Sequence, residues 1–311
     1  MISSHQKYEK KKRRITINGI FYAVISSMSF GFSPLFSLAL IAAGLSDFDI
    51  LSYRWLIAGL VLMIYAFSKK KSLRLNSFDE AWKIFLLSAL RALTSVTLLI
   101  GYVNISSGIA ATINFMYPVI VTLSMVIFFG ERRSLVDYIA ICASIFGVYL
   151  LASGDSIVAH GGNTRLGLTC SLISAFSFAA YYIVMKQVKA DKIEVVKFTT
   201  WIMMLSAVYF IAAAFIVNGR LTVVTDFRSW LNILGLALWA TMISNITGVK
   251  GIRRIGPTLT SILGALQPVT AVILGVLFLG EHLYLRSFIG ICVILVAVSI
   301  IVLHQKNRKH I

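Results

Sequence analysis

Apolar residues run along this chain in stretches of about twenty, long enough for a helix to cross a hydrocarbon core of roughly 30 Å. The stretches fall at about 17–43, 49–68, 81–103, 107–129, 134–153, 166–188, 194–217, 229–250, 257–279 and 284–304, with short polar segments between them. This pattern predicts an all-α integral membrane protein with ten transmembrane helices. The first stretch is too long for the core of a signal peptide and lacks a small-residue cleavage site, so it reads as a retained helix.

Composition agrees. Of 311 residues, 58% are apolar and 13% charged, about half the charged share usual in soluble domains. The net charge of +17 invites a nucleic-acid reading, but its distribution argues otherwise. With a cytoplasmic N-terminus, 21 of the 29 Lys and Arg residues fall in segments facing inward and 4 in segments facing outward. That bias is an orientation signal towards anionic lipid. Segments 1–16 and 305–311 are then basic cytoplasmic tails, and 154–165 is an external loop. The lipid bilayer is one expected partner and nucleic acid is not. Cys142, Cys170 and Cys292 lie inside apolar runs, where they read as small residues that let helices pack closely.

The chain is doubled. At an offset of 150, Pro118, Gly130, Glu131 and Cys142 coincide with Pro268, Gly280, Glu281 and Cys292. At 148, Gly19, Ser26, Ser29, Phe30 and Trp82 coincide with Gly167, Ser174, Ser177, Phe178 and Trp230. The second and seventh stretches match poorly. Each half, 17–153 and 166–304, holds five stretches, an odd number, so the halves must insert with opposite orientation. Inverted repeats of this kind mark secondary transporters, whose substrate site lies near the midplane at the repeat interface. The alternative is a duplicated membrane protein with no transport role.

Several segments carry a family resemblance. They are GIFYAVISSMSFGFSPLF at 19–36, Arg54-Trp55-Leu56-Ile57-Ala58, and Pro118 with Gly130-Glu131. In the second half they are GLTCSLISAFSFAAYY at 167–182 and GPTLTSILGALQPVTAVILGVLFLGEHL at 256–283. Over about 17–304 the chain resembles the EamA family of the drug/metabolite transporter superfamily. The resemblance implies alternating access, export of a small organic metabolite that is amino-acid-like, a drug or another metabolite, and a bacterial inner membrane. It also implies a central cavity walled by helices one, three, four, six, eight and nine, with five and ten outside. Ile202 stands where the first half has Arg54.

Arg91 is the sharpest single residue. It lies near the middle of 81–103, where an isolated arginine costs at least roughly 2.5 kcal/mol. The twelve acidic residues all fall at or beyond stretch ends. Its counter-charge is therefore either an anionic group of a substrate or, alternatively, backbone carbonyls and cavity water. Arg54, six residues into its stretch, is expected to snorkel outward towards Asp47 and Asp49. Pro34, Pro118 and Pro268 are expected to kink their helices. Ser29, Asn114, Tyr117, Tyr181, Trp239, Asn245 and Gln267 lie near these kinks and are candidate substrate-binding residues. Tyr117 and Gln267 are repeat twins, as are Arg91 and Trp239. Gly130-Glu131 and Gly280-Glu281 suit a helix end followed by the positive start of the next helix.

Other function classes find no support. No G-x-x-x-x-G-K-[ST] is present for an ATP motor, nor H-E-x-x-H or G-x-S-x-G. The five histidines, His5, His160, His282, His304 and His310, fall in tails, loops or stretch ends. Neither catalytic residues, a metal nor a cofactor is expected. The rival readings are an intramembrane enzyme or lipid-handling protein on the same scaffold, and a non-transporting receptor or scaffold.

Overall fold

The computed structural model describes residues 4–105, 107–132, 134–152, 162–278 and 285–307. Gly280, Glu281 and most of the 154–165 loop lie outside them. The first half comprises α1 (Ser4–Phe30), α2 (Ser33–Ala42), α3 (Asp47–Ser68), α4 (Phe78–Asn104), α5 (Ser107–Asn114), α6 (Tyr117–Ile127) and α7 (Leu135–Ala152). The second comprises α8 (Thr164–Gln187), α9 (Val195–Asn218), α10 (Phe227–Leu234), a π-helical segment (Gly235–Ile243), α11 (Ser244–Ile262), a 3-10 turn (Leu263–Ala265), α12 (Leu266–Phe278) and α13 (Leu285–Asn307). Helix α1 begins within the basic N-terminal segment, which therefore continues the first helix.

Among the described residues, six stretches are long and apolar enough to span a membrane: Thr16–Ala42, Asp47–Ser68, Phe78–Asn104, Thr164–Gln187, Val195–Asn218 and Phe227–Phe278. Three shorter apolar helices among the described residues, Tyr117–Ile127, Leu135–Leu150 and Phe288–Ile300, pack with them, as does the eight-residue α5. The longest stretch is interrupted at Gly256, whose φ of 85° and ψ of 169° suit glycine, and Pro257 then starts a new helical run.

Local chemistry explains the helix ends. Ser46, Ser77, Asn163 and Asp226 accept from the backbone N–H three residues on, capping α3, α4, α8 and α10. Gly130, at φ 63°, ends the α6 run, with the Glu131 N–H returning to the Met125 carbonyl at 3.0 Å. Pro34, Pro118 and Pro268 each lie at or just after a change in helical geometry. Pro34 and Pro118 each sit in the first turn of a new helix after a break, at 31–32 and 115–116. Pro268 follows the 3-10 turn.

Packing carries the doubling into three dimensions. The four most extensive helix contacts are α3 with α9, α4 with α8, α7 with α13, and α1 with α11. Exchanging the halves maps the first and third pairs onto themselves and the other two onto each other. Helix α3 is antiparallel to α9. Its start bonds to residues beyond the end of α9, through Tyr53 Oη donating to the Thr222 carbonyl at 2.7 Å. The segment beyond its end bonds to residues at the start of α9, through Lys71 and Glu194 at 2.7 Å.

Two clamps at opposite ends of this pair are repeat twins. At one end, Asp49 Oδ1 accepts from Thr222 N at 3.1 Å, beside the Tyr53 bond. At the other, Lys197 Nζ donates to the Arg74 carbonyl at 3.0 Å and Trp201 Nε1 to the Leu73 carbonyl at 2.8 Å. Asp49, Tyr53 and Arg74 stand 148 residues before Lys197, Trp201 and Thr222. The second clamp also holds Lys197 against Glu80 at 2.5 Å, with both side chains largely buried.

Helices α7 and α13 share a small core with α11, in which Ala140, Ile141 and Ala297 pack with Leu259 and Ile262. Cys170 is buried, but Cys142 and Cys292 are exposed on this outer pair, so the close-packing expectation fails for those two.

Candidate functional site

The breaks in the helices meet inside the bundle. A Cβ on Gly264 would lie 1.8 Å from Tyr117 Oη, so only glycine admits the tyrosine there. Tyr117 is fully buried and donates to the Ser261 carbonyl at 3.2 Å. A Cβ on Gly31 would lie 2.7 Å from the Gln267 carbonyl oxygen. Around this meeting point lie two small cavities, each of about 20 Å³, room for about one water molecule. One is lined by Phe30, Pro34, Asn114, Phe115, Gln267 and Pro268 among others. The other is lined by Arg91, Phe30, Phe178, Tyr181, Asn245 and Gln267 among others. Phe30 and Gln267 are shared. Neither cavity touches α7 or α13, in keeping with their expected place outside.

Arg91 is 3% exposed. Its Nε donates to Asn245 Oδ1 at 3.1 Å, and Asn245 in turn donates from Nδ2 to the Thr241 carbonyl at 2.7 Å. The guanidinium carbon lies 4.7 Å from the Phe178 ring centre, 5.5 Å from Tyr181, and 5.8 Å from both Phe30 and Trp55. These rings offer π-faces to the cation. Phe30 and Phe178 are repeat twins, stacked 6.4 Å apart, so Arg91 sits where the two halves face each other. Its Nη1 is buried with no hydrogen-bond partner.

Arg54 overturns its expected position. Rather than reaching outward to Asp47 and Asp49, it is 5% exposed. Its Nε donates to Thr241 Oγ1 at 2.5 Å and its Nη1 to Ser33 Oγ at 3.1 Å, while Nη2 is buried and unpartnered. Asp49 accepts instead from Ser46 Oγ and Thr222 N. Arg54 shares the face of α3 that buries Leu51, Trp55, Ala58 and Leu62, and that register turns it inward. Neither Arg54 nor Arg91 takes part in an ion pair among the described residues.

The remaining candidates divide. Tyr181, Asn245 and Gln267 join the Arg91 cavity, and Asn114 lines the other while donating to Ser174 Oγ at 2.7 Å. Ser29 is buried in the last turn of α1, its carbonyl accepting from Phe32 N at 3.3 Å. Trp239 does not join them. It is 47% exposed and packs edge-on against Phe32. The π-helical segment that carries it has about one extra residue per turn, which rotates it away from the place its twin Arg91 would imply. That segment also presents Thr241 to Arg54, a placement without any signature in the sequence. Glu131 reaches across to the other half, where its carboxylate accepts from Thr258 Oγ1 at 2.9 Å near the helix start that follows Gly256. The start of α7 is held by Ser134 N donating to Asp137 Oδ2 at 3.2 Å.

Known proteins resemble this chain in sequence and in fold. A family model described as the EamA-like transporter family matches residues 17–153 and 165–303. The uncharacterized inner membrane transporter YicL of Salmonella typhimurium is 24% identical over 269 residues, 82% of this chain and 85% of that protein. The uncharacterized transporter YdfC of Bacillus subtilis is 24% identical over 241 residues, 76% of each. A solved crystal structure aligns with a TM-score of 0.76 at 15% identity, covering 94% of this chain and 98% of the other, which speaks for the fold. The matched family model spans both halves of a bundle whose helix pairs interchange with those halves, and the chain therefore belongs to the EamA-like transporter family and is a multi-pass membrane protein.

Proposed function

We propose that the protein is a secondary transporter that moves a small organic metabolite outward by alternating access, with the substrate held at Arg91. Ten spans in two inverted five-helix repeats form its frame, counting Phe227–Phe278 as two spans divided at Gly256. The antiparallel packing of α3 on α9 supports the inversion. Residues 17–153 and 166–304 form the repeats, and the termini face the cytoplasm, a reading that rests on the loop charge bias.

One observation carries the substrate site. Arg91 is a deeply buried cation with an unpartnered nitrogen, ringed by aromatic faces where the halves meet. Burial of a charge without a partner is costly, and an anionic group of a substrate offsets that cost. Asn245 orients the guanidinium, Tyr181 and Phe178 flank it, and Gln267 closes the cavity towards Asn114 and Tyr117. The small cavities fit an occluded conformation, in which the clamps at both ends of the α3–α9 pair are closed.

The test compares metabolites inside and outside cells with and without the protein, then measures flux of the changed compounds into proteoliposomes. A compound that accumulates inside cells lacking the protein, and is carried by the purified chain, supports the reading. An identical metabolite profile and no flux contradict it.

A further inference from the structure

Arg54 places a second cation beside the site and narrows the cargo. Both guanidinium carbons lie within 6 Å of the same two rings: Arg54 at 5.6 Å from Phe30 and 5.7 Å from Trp55, Arg91 at 5.8 Å from each. The two charges repel each other. Each is oriented only by neutral acceptors, Thr241 and Ser33 on Arg54 and Asn245 on Arg91. Each keeps one buried nitrogen without a partner, Nη2 of Arg54 and Nη1 of Arg91.

Arginine does not lose its proton in proteins, so this cluster holds two fixed positive charges. A monoanion leaves one of them uncompensated. A zwitterionic amino acid brings an ammonium, a third cation, into the same cluster. A cationic drug adds charge and removes none. From this charge balance we infer that the cargo is a small organic dianion, a dicarboxylate or a phosphate monoester, gripped jointly by Arg54 and Arg91. The guanidinium groups are held in place before the cargo arrives, so ordering them costs little on binding. This rests on the transport reading above and specifies its substrate class.

The test titrates the purified full-length protein in nanodiscs with succinate, glycerol 3-phosphate, propionate and alanine at constant ionic strength, reading affinity from the shift in Tm. Succinate and glycerol 3-phosphate represent the two forms of dianion, propionate a monoanion and alanine a zwitterion. At least one dianion should bind about tenfold or more tighter than propionate or alanine, the scale of one charge-assisted hydrogen bond. Arg54→Gln should erase that preference, and Arg54→Lys should keep it with weaker binding. The wild-type preference tests the charge argument even where Arg54→Gln fails to fold.

Propionate or alanine binding as tightly as the better dianion overturns the inference. So does absence of binding by both dianions, or a preference that survives Arg54→Gln. Arg91-dependent flux of alanine overturns the dianion class and leaves the transporter reading standing. Failure of every cell-derived metabolite to be carried overturns the transporter reading itself.

Discussion

At the scale of single residues, isolation in the sequence was a good guide to depth and a poor guide to direction. Arg91 stands far from every carboxylate along the chain, and it is buried without an acidic partner among the described residues. The outward reach expected of Arg54 fails because counting residues from the membrane edge gives depth but not the face of the helix. The signal was available, since Leu51, Trp55, Ala58 and Leu62 mark the buried stripe on which Arg54 lies. Repeat symmetry does not bring Trp239 to Arg91 because it assumes one helical register, which the π-helical segment breaks. Gly264 was legible only as a residue four before a proline. Its close approach to Tyr117 Oη makes Gly264→Ala an overpacking change, expected to cost about 1–3 kcal/mol in thermal unfolding of the purified protein. Adding Tyr117→Phe removes the nearest atom and should recover part of that loss. An unchanged Tm for Gly264→Ala would contradict the packing described.

At the scale of elements, the helix breaks were legible because proline has one physical effect wherever it falls. The clamps were not. Helices α3 and α9 match poorly in sequence because their twin positions do the same work with different chemistry: Asp49 accepts where Lys197 donates, and Tyr53 corresponds to Trp201. Lys197→Ala leaves the partly buried Glu80 carboxylate without its cation, a loss of roughly 1–3 kcal/mol. Hydrogen exchange should then quicken in 69–78 and stay unchanged in 218–226. Asp49→Ala should do the reverse. Equal quickening at both ends, or none, would show that the clamps do not act separately.

Glu194 gives the same clamp a pH dependence. Burial raises its carboxyl pKa, but bonds from the Lys71 side chain and the Lys197 backbone N–H outweigh this and hold it below the usual glutamate range. A lowered folded pKa means the stabilisation is present above the ordinary value of about 4.3 and is lost as pH falls through the folded value. Protection in 69–78, measured relative to the intrinsic exchange rate at each pH, should therefore be flat from about pH 6 to 8 and fall only in acid below the ordinary glutamate range. A loss of protection between about pH 8 and 6 would contradict this assignment.

At the scale of the whole molecule, apolar runs located the helices and offsets of 148 and 150 revealed the doubling, because membrane helices are read from composition and repeats from register. The meeting of three broken helices around Arg91 was not legible, since it depends on how the halves pack. The central claim is that Arg91 binds cargo between those halves. The most direct measurement pairs flux through proteoliposomes with the Tm of the purified protein for Arg91→Leu and Arg91→Lys. The account predicts that Arg91→Leu keeps or raises Tm, because a buried unpaired charge is gone, and abolishes transport. Arg91→Lys should transport more weakly, since a point charge replaces a planar fork. Transport at the wild-type rate by Arg91→Leu, or its failure to fold, would contradict the account.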